Sequence, residues 1–132
     1  MTHSIVDDYG LAAPPEIVFG TLTDPVRLTR CLPDGLVAES VGHGRLLIRD
    51  HIAAIAGAVR STSDDLSIEW AWPYWAGLAG TVQVRDAGAG ASTVTAQVTL
   101  GRAGLDPASI RAWMATTADR LAQEVAENFT PG

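Results

Sequence analysis

Leu11-Ala-Ala-Pro-Pro-Glu-Ile-Val-Phe19, followed closely by Leu22-Thr-Asp-Pro-Val-Arg-Leu28, sets two helix starts a few residues apart. Proline suits the first turn of a helix, where no amide proton is needed, and Glu16 favours the positive N-terminal end. The first short helix carries Ile17, Val18, Phe19 and Leu22. Asp24-Pro25 repeats the signal, a capping carboxylate before a proline, and opens a second short helix with Val26, Leu28, Cys31 and Leu32. Leu32-Pro-Asp-Gly35 stops it.

Outward from this pair the chain reads as strands. Before it, Ser4 to Ala12 alternates, with Ile5, Asp7, Tyr9 and Leu11 on one face and Val6, Asp8 and Gly10 on the other. After it come Leu36 to Val41, a turn at Gly42-His43-Gly44, Arg45 to Ile52, and Ile55 to Ser61. Ser63-Asp64-Asp65 turns into Leu66 to Trp72, where Leu66, Ile68, Trp70 and Trp72 share one face. Gly77 to Asp86 and Ser92 to Leu100 form a last hairpin. In it Val94, Ala96, Val98 and Leu100 oppose Thr93, Thr95, Gln97 and Thr99, the pattern of a sheet wet on one side.

Asp106-Pro107 opens a long final helix running to about Asn128. Ile110, Met114, Thr117, Leu121 and Val125 recur at three- and four-residue steps, with Trp113 and Ala118 beside them, so one face is apolar. The whole is one α+β domain over residues 1–132. It has about seven antiparallel strands, two short helices and a long C-terminal helix lying across the sheet.

The composition narrows the function classes. A hydrophobic fraction of 47% supports a packed core. The net charge is -6, and the positive residues are scattered singly from Arg27 to Arg120, which argues against nucleic acid as a partner. All nine positive residues are arginine, the composition of a high-GC, bacterial genome. Cys31 stands alone, so no intramolecular disulfide forms. The first residues lack the basic start and apolar run of a signal peptide, and no apolar stretch approaches a membrane span. The expectation is a cytoplasmic protein without stable membrane insertion.

The opening segment, the Asp-Pro-x-x-Leu second helix and the Gly80 to Val84 and Thr93 to Val98 hairpin resemble the START-like (SRPBCC) superfamily. That superfamily includes polyketide cyclases, lipid-transfer domains, birch-allergen-like proteins and carbon-monoxide-dehydrogenase accessory proteins. Where members carry a Trp ahead of the Leu-Pro, this chain has Cys31. The resemblance implies a helix-grip fold, a curved sheet wrapped on the last helix with a ligand cavity between them. It also implies binding of an apolar, aromatic or polyketide-like small molecule, with assistance to cyclisation or dehydration. The alternatives are a non-catalytic carrier or sensor of a lipid-like ligand, and an accessory module acting through an aromatic hairpin, since one fold hosts many functions.

Within such a cavity the alternation places Asp7, Tyr9 and Asp50 inward as candidate acid–base residues, because a buried carboxylate has a raised pKa. A one-residue slip would flip them to solvent and bring Arg49 and His51 inward instead, an anion holder and a proton shuttle. Trp70, Trp72, Ile48, Val98, Trp113, Met114 and Thr117 are the expected ligand-binding wall, the tryptophans suiting a flat ligand. The rival reading of Trp70 and Trp72 is plain core packing, and of Thr117 a hydroxyl bonded back to its own helix. Tyr74 and Trp75, past Pro73, suit a pocket mouth or a homodimer contact. The histidines lack metal-ligand spacing and there is no glycine-rich phosphate loop, so neither a metal nor a cofactor is expected.

Overall fold

Residues 3–50, 55–72, 78–101 and 106–128 are described by a computed structural model of the protein. In chain order the elements are β1 (His3–Leu11), α1 (Pro15–Thr23), α2 (Pro25–Cys31), β2 (Val37–Gly42), β3 (Arg45–Arg49), β4 (Ile55–Thr62), β5 (Ser67–Ala71), β6 (Ala79–Gly88), β7 (Ala91–Leu100) and α3 (Pro107–Asn128). The strands make a curved antiparallel sheet ordered β1-β7-β6-β5-β4-β3-β2.

Both Asp-Pro signals act as read. Asp24 Oδ1 accepts the amides of Val26 and Arg27 at 3.0 and 3.1 Å, and Asp106 Oδ1 accepts that of Ala108 at 3.3 Å. These bonds satisfy amides that a helix start leaves without partners.

The register shows why one face is apolar. Directly paired residues share a face, and one row runs Leu46, Val59, Trp70, Gly80, Val98, Ile5 across six strands. A parallel row holds Ala38, Ile48 and Gly57. Ile48, Val98, Ile68, Val84, Val94 and Leu100 are all buried. Against this face lies α3, packed on α1, α2 and β1, with Ile110, Met114, Leu121 and Val125 buried. Leu121 is 4% exposed.

Three details depart from the expected pattern. The alternating strand was expected from Leu66, but β5 starts at Ser67 and Leu66 sits in the preceding turn at φ 50°. A leucine there costs roughly 1–2 kcal/mol, offset by its half-buried side chain on the core. β3 ends at Arg49 instead of Ile52, and its register with β4 shifts between Ile48 and Arg49. The alternation that turned Asp50 inward therefore stops before reaching it. Glu124, one position before Val125, is buried at 5% exposed. Arg30 Nη1 at 2.9 Å and Asn128 Nδ2 at 3.0 Å donate to its Oε1, tying α2 to α3.

Candidate functional site

Beneath α3 lies a partly open cavity of about 100 Å³. The sheet supplies Tyr9, Trp70, Val82, Val94, Ala96 and Val98, and α3 supplies Trp113, Met114, Thr117, Ala118 and Leu121. Leu11 and Leu22 complete the wall. The aromatic side is made by Trp70 and Trp113, edge to face at 5.8 Å between centroids and 73° between planes, an arrangement favoured by the ring quadrupoles.

Two hydroxyls are the polar groups of note on this wall. Thr21, Thr23, Thr29 and Thr116 each donate to the carbonyl four residues back, at 2.9, 2.9, 2.7 and 3.0 Å. Thr117 does not: among the described residues neither its Oγ1 nor Tyr9 Oη has a hydrogen-bond partner. Both residues are half-buried, and the surface that the cavity exposes is almost wholly apolar.

Tyr9 is held protonated. Burial is the main cause of its raised pKa, Asp7 adds to it, Arg111 opposes and Asp119 adds again. Asp7 itself does face the helix side of the sheet, but β1 is an edge strand. Its carboxylate is 37% exposed and lies 4.0 Å from Arg111 Nε. It stands near the rim as an ion-paired carboxylate, so the picture of an isolated buried acid does not apply.

Arg49 takes the outer position of the unslipped register, away from the inward place that a one-residue slip would give it. Leu46 and Ile48 are buried, so Arg49 points to the opposite, outer side, where its Nε lies 2.5 Å from Glu39 Oε2. Asp50 is half-buried past the end of β3 and is not on the cavity wall. Ile48 and Trp72 face inward and are buried, yet they pack behind the wall. Trp72 meets Trp70 edge-on at 6.0 Å and 63°. Trp70, Val98, Trp113, Met114 and Thr117 are brought together on the wall with Tyr9. His51, Tyr74 and Trp75, with the homodimer contact assigned to that hairpin, lie outside the described residues.

Sequence reasoning missed Leu22, Val82 and Ala118 as wall residues, and it missed the two glycines beneath the tryptophans. A Cβ on Gly57 would come within 2.4 Å of Trp72 Cε3, and one on Gly80 within 2.4 Å of Trp70 Cζ2. Glycine inside a strand is itself the usual sign of such close approach. Among the described residues no cluster of His, Cys, Asp or Glu could hold a metal ion. No described helix is long and apolar enough to cross a membrane.

No family model and no curated protein matches the chain. Solved structures do. The di-domain ARO/CYC protein StfQ from the steffimycin biosynthetic pathway superimposes with a TM-score of 0.72 at 16% identity, over 94% of this chain and 45% of that one. Ara h 8.0201 gives 0.68 at 14% identity, over 96% and 99%. Norcoclaurine synthase from Thalictrum flavum, as a point mutant with a transition-state analogue, gives 0.64 at 14%, over 97% and 96%. Matches at such low identity, covering almost all of this chain, speak to architecture. The chain shares the helix-grip fold of these structures.

Proposed function

We propose that the protein binds a small, mainly apolar aromatic molecule between α3 and the inner face of the sheet. The observation that carries this reading is an apolar cavity beneath α3, walled on its aromatic side by Trp70 and Trp113. Tyr9 and Thr117 on its lining are half-buried and not sealed from solvent, so a ligand oxygen reaching either hydroxyl would replace water there. Ligand sites combine an apolar lining with a few polar groups in this way. The described wall carries no Asp, Glu, His or Arg, which supports a carrier or sensor of the ligand. A cytoplasmic location belongs to the same proposal and rests on the unpaired, buried Cys31.

A second reading, cyclase- or dehydrase-like assistance, is favoured by one observation. Tyr9 keeps its proton through burial, with Asp7 adding and Arg111 opposing, so its hydroxyl would donate a hydrogen bond to a substrate oxygen and hold its own proton, with Asp7 at the rim as its positioning partner. The fold shared with StfQ is in keeping with that reading. Tyr9→Phe separates the two. A carrier loses a modest part of its affinity when one hydrogen bond goes, whereas a catalyst that still binds loses its turnover. Quenching of tryptophan fluorescence by a monocyclic phenol tests binding itself, and its absence in the folded protein would refute the proposal.

A further inference from the structure

Trp70 is held by three neighbours, Gly80, Trp72 and Trp113. Its indole lies over the backbone of Gly80, where a Cβ would stand 2.4 Å from Cζ2 and 2.5 Å from Cε2. Trp113 meets it edge-on from α3, and Trp72 meets it edge-on from just past the end of β5. Trp72 in turn already occupies the hollow over Gly57. Among the described residues, the hollows over Gly57 and Gly80 are therefore filled by rings. What remains is about 100 Å³. Drug-sized ligands take sites of about 300–1,000 Å³, while a dry apolar cavity of about 150 Å³ holds benzene. A partly open space of this size takes one ring with a short substituent, with Trp70 on its sheet side.

The polar groups point to the same class. Tyr9 and Thr117, both half-buried, are the hydroxyl-bearing residues of the lining and the ones that could meet an oxygen on the ring. We infer that Trp70 is a size filter that restricts this site to molecules with a single aromatic ring bearing an oxygen substituent, the chemistry of a phenol. This rests on the proposed ligand site and goes further, because it sets an upper limit on the ligand and names the residue that imposes it.

The experiment is a calorimetric titration of phenol and of naphthalen-1-ol into the wild type, Trp70→Leu and Trp70→Phe. Thermal melts confirm that each variant is folded. The wild type is expected to bind phenol at least about tenfold more tightly than naphthalen-1-ol, the scale on which a packed pocket discriminates by size. Trp70→Leu is expected to reverse that order. Trp70→Phe keeps an aromatic brace and is expected to narrow the gap, so it carries the test if the leucine variant does not fold. Wild-type affinity for naphthalen-1-ol equal to or above that for phenol overturns the size filter and leaves the binding site standing. An unchanged preference in the folded variants overturns it as well. Binding of neither compound by folded wild type and folded variants removes the site itself.

Discussion

The Trp70 indole occupies the space that a side chain on Gly80 would need. A Cβ there would also stand 2.6 Å from the carbonyl oxygen of Gln97. The backbone oxygen cannot swing aside as a flexible side chain can. Gly80→Ala is therefore expected to lower stability by about 1–3 kcal/mol, the usual cost of overpacking, and to change the near-ultraviolet circular dichroism of the tryptophans. Gly20, inside α1, is the control: a Cβ there meets nothing within 4 Å. Gly20→Ala should raise stability by about 0.5–1 kcal/mol through helix propensity. Urea melts of the two variants, read side by side, check both signs.

Leu121 joins the buried stripe of α3 to the cavity wall and is 4% exposed. Leu121→Ala is expected to cost about 2–5 kcal/mol. A loss below about 1 kcal/mol in denaturant melts would mean that this face of α3 is not the buried one.

Glu124 is buried while its partner Arg30 is 59% exposed. Removing the guanidinium leaves a buried carboxylate with Asn128 as its remaining side-chain donor among the described residues. Arg30→Met should cost about 1–3 kcal/mol, the penalty for orphaning a buried polar group. In Glu124→Gln the Arg30→Met change should cost much less, and the double-mutant cycle measures the difference.

Burial, with the Glu124 carboxylate adding and Arg120 opposing, pushes the Cys31 thiol from 9.0 up to about 11. The folded chain holds this proton more tightly than the unfolded chain does. Its contribution to stability is thus fully present below pH 9 and is lost as the pH rises towards 11. The amount at stake is on the order of 2–3 kcal/mol. The stability difference between wild type and Cys31→Ala should be constant below that window and shrink across it. In the folded protein, Cys31 should also alkylate far more slowly than in denaturant, because the thiolate is the reactive form.

Periodic features were legible before any coordinates. The stripe Ile110, Met114, Leu121 and Val125 lies at helical spacing, and Val94, Val98 and Leu100 keep period two, so both faces could be read directly. Asp24 and Asp106 announced their helices because capping is local chemistry. Features that depend on partners distant in sequence were not legible. Asp50 follows a register shift that no local pattern announces. Glu124 is buried only because Arg30 and Asn128 reach it. The hollows over Gly57 and Gly80 exist only once β4 and β6 flank β5. Thr117 reads like Thr116 in the sequence, and only its place under the sheet separates an open hydroxyl from one bonded to its own helix.

The most direct test of the account is where a ligand touches the chain. Phenol titrated into isotope-labelled protein, followed by amide and side-chain chemical shifts, is expected to move Tyr9, Thr117, Trp70 and Trp113 together and saturably. Glu39 and Arg49 on the outer face should stay still. Saturable shifts confined to the outer face, or none in the cavity residues of the folded protein, would contradict it.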